Sequence, residues 1–191
     1  MFLGQQSVLA RNHAENISRV LYPIDRNYEG KQLRLRQEYF LVCAAIKDIL
    51  RRFRATAAQR DVFELPLKAA IHINDTHPAL AIPELMRILV DEEQLLWRDA
   101  WELCCQTFTH TNHVAQKEAL KHWSIDIIRK TLPRHMEIIE EINRDFQQVS
   151  CKCFYENYQC GYGPPVNLCD VTAIVHSVYP ILSSHSSVDI G

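Results

Sequence analysis

The sequence has few glycines, little net charge and no long apolar run, and each of these absences excludes a class of protein. Only 5 of the 191 residues are glycine, and none forms the glycine-rich patterns that cradle phosphates, bind dinucleotides or present a serine nucleophile. No segment approaches the ~20 apolar residues that span a bilayer, and residues 1–11 lack the features of a secretory signal. The formal net charge of -2 gives no reason to expect nucleic acid or a membrane as a partner.

The seven cysteines favour a reduced, cytoplasmic protein over a disulfide-bonded or zinc-binding one. Cys43, Cys104 and Cys105 lie in apolar segments, where free cysteines usually behave as small buried hydrophobic residues. In the last part of the chain only Cys151 and Cys153 form a close pair, whereas zinc ribbons require two such pairs. We therefore expect no metal site there.

The chain divides into two parts that differ in composition and in hydrophobic periodicity. Residues 1–148 show the patterns of helices with one or two short strands, and residues 149–191 lose both charge and helical periodicity. We expect the first part to be mainly α-helical, with its strands belonging to a larger sheet, and the second part to be an irregular, disordered tail.

Apolar periodicity predicts most of the helices. The clearest is a helix over 32–53 with a single apolar stripe, preceded by a helix over 7–21 and a polar loop over 25–30. Further helices are expected over 83–90, 95–105 and 118–130, and short apolar runs predict strands over 68–73 and 107–111. The stripe of the long helix consists of Leu35, Tyr39, Val42, Ile46, Ile49 and Phe53.

A last helix is expected to begin at Pro133, since proline suits the first helical turn. Its apolar side is formed by Leu132, Met136, Ile139, Ile142 and Phe146. The opposite side, which we expect to face solvent, is formed by His135, Glu137, Glu140, Glu141, Asn143 and Arg144.

The polar stretch 74–78, which follows a predicted buried strand, is the first candidate for chemistry. His72, Asp75 and His77 lie within six residues, and three readings remain open. They could bind a metal, although their spacing matches no common metal motif. Asp75 and Thr76 could instead cap the turn before Pro78, or Asp75 and His77 could contact sugar hydroxyls.

Two further groups also have alternative readings. Arg51 and Arg52 could hold a phosphate, because the guanidinium group donates two parallel hydrogen bonds, or they could simply end a helix in solvent. His110 and His113 follow or end a predicted strand and could be partly buried structural histidines.

Several segments over about residues 9–146 form a series of distinctive motifs. The longest is the run Asn74-Asp-Thr-His-Pro-Ala-Leu-Ala-Ile-Pro-Glu-Leu-Met-Arg87. The others are Ala14-Glu-Asn-Ile-Ser-Arg-Val-Leu-Tyr-Pro23, Leu33-Arg-Leu-Arg-Gln-Glu-Tyr-Phe40, Ile49-Leu-Arg-Arg-Phe53, Ala100-Trp-Glu-Leu103, Thr111-Asn-His113 and Leu132-Pro-Arg-His135. In their sequence and their order, these segments resemble the glycogen phosphorylase type of α-glucan phosphorylase, and the run over 74–87 is the strongest match.

The resemblance implies an α/β family fold, of which residues 1–148 would be part of the N-terminal domain. It also implies a glycosyltransferase that transfers glucose from an α-1,4-glucan such as glycogen to inorganic phosphate, with pyridoxal phosphate as cofactor. Full-length relatives are expected to be homodimers, and animal forms to bind AMP.

The resemblance also implies roles for individual residues. His113 resembles the histidine that hydrogen-bonds the glucose, and Asp75 and His77 resemble the polar pair beside that sugar. Glu118 matches an acidic position near the pocket, and Asp25 matches the aspartate of a mobile gate loop. Two further pairs of residues resemble sites outside the pocket: Arg51 and Arg52 for the nucleotide phosphate, and His135 and Asn143 for glycogen storage.

In the family, the phosphate-binding residues and the cofactor lysine lie in a second domain, beyond the matching segments. No lysine of this chain falls in a matching motif. We therefore expect an internal fragment that is inactive alone. The alternatives are a non-catalytic carbohydrate- or partner-binding module and, from His72, Asp75 and His77, a metal-dependent enzyme.

Overall fold

The computed structural model describes residues 2–19, 21, 23–55, 61–111 and 123–156, with side-chain surroundings from residue 6 to residue 145 within those ranges. The described part is mainly helical, with one pair of short strands, as the sequence predicted. Its helices are α1 Phe2–Arg19, α2 Tyr28–Ala55, α3 Leu65–Lys68, α4 Ala81–Arg87, α5 Trp97–Thr107, α6 Ile125–Thr131 and α7 Pro133–Glu156, and its strands are β1 Ile71–Asn74 and β2 Phe108–Thr111.

Helix α2 begins earlier than its apolar stripe suggests. The Asn27 side chain accepts a hydrogen bond from the Gly30 N–H at 2.9 Å, which is the interaction of an N-cap residue. Tyr28 to Gly30 are therefore helical, and the loop predicted over 25–30 is shorter than expected. The apolar stripe itself is confirmed, with Leu35, Val42, Ile46 and Phe53 buried among other residues of the core.

The first strand lies three residues later than predicted. Asp61 accepts from the Phe63 N–H at 3.1 Å and caps a 3-10 turn, Val62–Glu64. That turn leads into α3, where Pro66 occupies the first helical turn. Lys68, predicted to begin the strand, instead ends this helix, and β1 begins at Ile71.

The two strands are parallel, and their register pairs Ile71 with Phe108 and Asn74 with Thr111. Parallel neighbours require a crossover connection, which here consists of α4, a π-helical continuation Ile88–Glu92 and α5. Because the strands run in the same direction, both carboxyl ends lie at one edge of the sheet. Asn74 and Thr111, which end the two strands, therefore lie side by side.

The core lies between α2, α4, α5, α6 and α7, with the sheet packed alongside. Met86, Leu89 and Ala100 are completely buried within it. Cys104 and Cys105 are buried free thiols, which confirms their predicted role as small apolar side chains, whereas Cys43 is half-buried and hydrogen-bonds to Glu84. Burial raises the pKa of the Cys105 thiol to about 12, so this thiol remains protonated.

Helix α7 ends later than the sequence predicted. It continues to Glu156, past the predicted boundary at residue 148, whereas residues 157–191 lie outside the described part of the chain.

None of the helices that the structure describes is both long and apolar enough to cross a membrane.

Candidate functional site

The carboxyl edge of the sheet brings together two of the segments that the sequence singled out. Asn74 ends β1 opposite Thr111, which ends β2. One residue later, the Asp75 N–H donates to the Thr111 carbonyl oxygen at 3.0 Å. The stretch 74–77 is thereby fixed beside the point at which the chain enters Asn112 and His113. Crevices at the carboxyl ends of parallel strands are common ligand sites in α/β proteins.

Asp75 adopts an unusual backbone conformation at this edge. Its φ is 59°, in the left-handed region that costs an ordinary residue roughly 1 kcal/mol or more. Such conformations are often found at functional sites, where the surrounding structure holds them in place. Asp75 is half-buried and His77 is exposed, so a carboxylate acceptor and an imidazole lie within reach of solvent and of a polar ligand.

The alternative readings of this stretch can be compared with the geometry. Thr76 and Pro78 carbonyls accept from the Ala79 and Ala81 N–H groups at 3.1 and 2.9 Å, so the turn into α4 is built mainly from backbone bonds. His72 lies on the outer face of β1, where its two ring nitrogens bond to threonine hydroxyls. Within the described ranges, no three His, Cys, Asp or Glu side chains are grouped closely enough to hold a metal ion.

Two of the predicted sugar-site residues, His113 and Glu118, lie outside the described residues, which break between 111 and 123. Their roles stay predictions. The structure places only the start of their segment, because Thr111 is paired with Asn74 and is followed directly by Asn112 and His113.

Asp25 lies in the short connection before α2, where it forms an ion pair with Arg34. The Asp25 carboxylate is 2.9 Å from the Arg34 guanidinium, which also contacts Glu38 at 3.3 Å. Burial raises the pKa of the Glu38 carboxyl to about 7, although Arg34 partly offsets the effect. The predicted gate residue is thus tied to the first turns of α2.

Replacing Gly30 with alanine should destabilise the chain by about 1 to 3 kcal/mol, the usual cost of overpacking. A Cβ at this position would collide with the Ile24 carbonyl oxygen and lie 2.7 Å from the Asn27 side chain, so the backbone around Asp25 must move. Urea denaturation followed by circular dichroism measures the change. The matched control is Gly4→Ala in α1, where alanine is the better helix former. Equal effects of the two substitutions would refute the steric explanation.

Arg51 and Arg52 are exposed near the end of α2, and both contact the same carboxylate. Asp48 Oδ1 lies 2.6 Å from Arg51, and Asp48 Oδ2 lies 2.9 Å from Arg52. The Arg51 hydrogen bond is the main reason why the pKa of Asp48 is lowered. Asp48 therefore holds the two guanidinium groups close together, with further N–H donors left on each for an anion.

The predicted exposure of His135 and Asn143 is wrong. Both side chains point into the protein, with exposed fractions of 4% and 7%. His135 Nε2 lies 2.6 Å from the carboxylate of Glu84, which is itself completely buried. Because α7 packs against both α4 and α6, its buried arc is wider than the apolar stripe suggested. In this position neither residue can contribute to a polysaccharide-binding surface.

Glu84 is the centre of a buried polar cluster that joins α2, α4 and α7. Its carboxylate accepts two hydrogen bonds from Arg87, at 3.0 and 3.1 Å, one from His135 and one from the Tyr39 hydroxyl at 3.3 Å. Burial raises the pKa of Glu84, but the bonds from His135 and Arg87 outweigh it and lower the pKa to about 2. Glu84 is therefore ionised, and its neighbours must donate to it.

Comparisons with known proteins identify the family of this chain. A sequence model of the family described as "Carbohydrate phosphorylase" matches residues 4–160. The chain is 59% identical over 145 residues to the liver form of glycogen phosphorylase from Homo sapiens, covering 73% of this chain and 17% of that protein. The muscle form from Ovis aries is 54% identical over 147 residues, with 74% and 18% covered. This chain belongs to the carbohydrate phosphorylase family.

The brain form from Rattus norvegicus is also 54% identical, over 145 residues that cover 73% of this chain and 17% of that protein. The chain thus spans about one sixth of the length of the curated relatives that it matches. The family match extends to residue 160, further than the resemblance recognised from the sequence, which ended near residue 146.

The outer face of α7 in this phosphorylase chain carries a groove of ≈ 450 Å³. Trp97 forms one of its walls, and the indole N–H of Trp97 donates to Asp145 at 2.8 Å, which fixes the ring. Arg134 crosses the groove rim, where Asp91 accepts two hydrogen bonds from it at 2.7 and 2.9 Å. The polar residues that α7 contributes to this groove are Arg134, Glu137, Glu140, Glu141 and Arg144, rather than His135 and Asn143.

Sequence reasoning missed the Glu84 cluster in this phosphorylase chain, although one signal for it was present. Glu84 is the only charged residue in the run Ala79 to Met86, and a lone carboxylate in an apolar run predicts a buried, paired group. Its partners Tyr39 and His135 are 45 and 51 residues distant in sequence, so they could not be found from local patterns.

Proposed function

We propose that this chain forms the sugar side of a phosphorylase catalytic site and that the complete enzyme transfers glucose from glycogen or another α-1,4-glucan to inorganic phosphate. The observation that carries the proposal is the carboxyl edge of the parallel strands. There the segment with Asp75 and His77 is hydrogen-bonded to Thr111, two residues before His113. The relatives described above are glycogen phosphorylases, which supports the choice of glucan.

The chemistry of these groups suits a sugar. A glucose ring presents several hydroxyls, and recognition requires acceptors and donors in fixed positions. The Asp75 carboxylate accepts from hydroxyl groups, whereas the imidazoles of His77 and His113 can donate to them or accept from them. Glu118 is proposed as a further acceptor, and Asp25, held by Arg34 at 2.9 Å, as the residue that limits access to the pocket.

Pyridoxal phosphate is proposed as the cofactor of the complete enzyme only. When bound, its phosphate group would act as acid or base toward the substrate phosphate. The lysine side chains that the structure describes, at positions 31, 47, 68 and 130, are exposed, so none lies in an enclosed pocket that would hold an aldehyde cofactor. We assign no step to it within these residues.

The regulatory, partner and location assignments also remain proposals. The arrangement of Arg51 and Arg52 around Asp48 supports binding of a nucleotide phosphate such as that of AMP. A homodimer is proposed from the relatives, and a glycogen-storage role is proposed for the outer face of α7 in place of His135 and Asn143. The three free thiols of the described residues support a reducing, cytoplasmic compartment.

A chimaera tests the catalytic proposal. The segment of the human liver form that matches this chain is replaced by the corresponding residues of this chain, and glucose 1-phosphate release from glycogen is measured. We expect the chimaera to be active. Asp75→Asn or His113→Ala should each lower kcat/KM on the order of 100-fold, the usual effect of removing one essential hydrogen-bonding group at a reacting centre. The 191-residue chain alone should release none, because it spans 17% of the relative.

The control is Asp126→Asn, the same chemical change at an exposed position of α6, which should leave kcat/KM unchanged. If Asp75→Asn behaved like Asp126→Asn, the sugar role of Asp75 would be refuted. Release of glucose 1-phosphate by the chain alone would refute its proposed inactivity.

A further inference from the structure

The outer face of the two-stranded sheet has a set of side-chain hydrogen bonds that crosses from β1 to β2. His72 Nδ1 lies 2.8 Å from the Thr109 hydroxyl, and His72 Nε2 lies 2.9 Å from the Thr111 hydroxyl. Residues two apart on a strand share a face, so both threonines stand beside the histidine. Ile73 and Phe108 on the opposite face are buried in the core.

The two hydrogen bonds of His72 do not depend on which of its ring nitrogens carries a proton. A hydroxyl can donate or accept, so the two threonines can satisfy the ring of His72 in either neutral tautomer and also when both nitrogens carry protons. The contact therefore persists whichever form the imidazole takes.

Thr111 connects this contact to the candidate site. Its side chain bonds His72, and its backbone carbonyl accepts the Asp75 N–H at 3.0 Å. Asp75 has a φ of 59°, a left-handed conformation that aspartate tolerates better than most residues and that the bond to Thr111 helps to maintain. A shift of Thr111 would therefore change both the position and the backbone conformation of Asp75.

We propose that His72, Thr109 and Thr111 form a clamp, the His72 clamp, that positions Asp75 at the carboxyl edge of the sheet. The three are positioning residues and touch no reacting atom. Positioning of Asp75 toward a sugar rests on the proposed function, whereas the hold on its backbone does not. The clamp joins His72 to Thr109, 37 positions later in the sequence, so it fixes the edge at which the two strands end.

Amide exchange in the complete 191-residue chain, labelled with ¹⁵N, tests the clamp. His72→Ala and Thr111→Val should each accelerate hydrogen exchange at the Asp75 amide about tenfold, which corresponds to the loss of roughly one hydrogen bond. His72→Gln should restore most of the protection, since an amide side chain can donate to one hydroxyl and accept from the other. The matched control is Thr131→Val, which removes a hydroxyl that accepts from Gln32 on α2 at 3.3 Å and should not affect Asp75.

Unchanged exchange at Asp75 in both His72→Ala and Thr111→Val, with native circular dichroism, would overturn the clamp. The ring ¹⁵N shifts of His72 in the unsubstituted chain give a second test that needs no variant. We expect two hydrogen-bonded nitrogens, and shifts typical of a free, solvated imidazole would equally overturn it. The sugar role is tested separately, in the chimaera with the human liver form. Accelerated exchange in the variants, together with an Asp75→Asn chimaera as active as Asp126→Asn, would support the clamp and refute the sugar role, so the two failures are distinct.

Discussion

Glu84→Ala should lower the free energy of unfolding by about 3 to 5 kcal/mol, the usual cost of removing one partner from a buried ion pair. The substitution removes the acceptor of Arg87, His135 and Tyr39 together. It would leave the largely buried guanidinium group of Arg87 with Glu92 alone, a half-exposed carboxylate that compensates less for its lost hydration. Urea denaturation of the 191-residue chain, followed by circular dichroism, measures the loss.

The matched control is Glu92→Ala. Glu92 contacts the same Arg87 at 2.8 Å, but its side chain is 47% exposed, so its removal should cost less than about 1 kcal/mol. A second variant combines Glu84→Leu with Arg87→Met and His135→Leu. It removes these three ionisable side chains of the cluster together and should recover much of the lost stability. If the control and Glu84→Ala were equally destabilising, burial would not be the source of the effect. If the triple variant were no more stable than Glu84→Ala, the loss would come from packing rather than from unpaired charge.

Glu38→Gln should stabilise the chain at alkaline pH, by about 2 to 3 kcal/mol at pH 8. The pKa of Glu38 is raised from 4.5 to about 7, mainly by burial, and its side chain is 16% exposed. The folded state therefore favours the protonated form. The stabilising contribution of that form is complete below pH 4.5 and is lost as pH rises through 7. Glutamine stays neutral and avoids this loss.

Urea denaturation curves of the Glu38→Gln variant and of the unsubstituted chain, recorded from pH 4 to pH 8, test the prediction. The difference in free energy of unfolding between Glu38→Gln and the unsubstituted chain should be near zero at pH 4 and increase toward pH 8. Glu29→Gln, at an exposed position of the same helix, should give no such increase. A pH-independent difference for Glu38→Gln would contradict the prediction. Glu84 has the opposite sign, because its lowered pKa of about 2 means that its contribution is present above pH 4.5 and is lost on acidification.

The sequence predicted those parts of the fold that depend on local patterns. The stripe of α2 was correct at Leu35, Val42 and Ile46 because a single helix face meets the core there. The outer face of α7 was wrong at His135 because the polarity of a residue does not reveal a partner on another helix. That partner, Glu84, lies 51 residues away, and only the folded chain brings the two together.

In the candidate site, too, features set by local sequence could be predicted, whereas those set by contacts between distant residues could not. The stretch 74–77 was recognised from its polar residues after an apolar run, and its resemblance to a family motif supplied the roles of Asp75 and His77. The left-handed backbone of Asp75, its bond to Thr111 and the His72 clamp could not be predicted, because each depends on the register between the two strands. The roles of His113 and Glu118 stay predictions.

The parallel pairing of β1 and β2 also has a consequence for how the site assembles during folding. Strands whose paired residues are 37 positions apart in sequence pair late in folding, because closing the intervening loop costs entropy that only the later contacts repay. Helix α2, whose backbone hydrogen bonds are local, can form before that. We expect the polar edge with Asp75 to be among the last parts of the chain to become ordered, so slow folding or early termination of synthesis would leave helices formed and the edge of the candidate site missing.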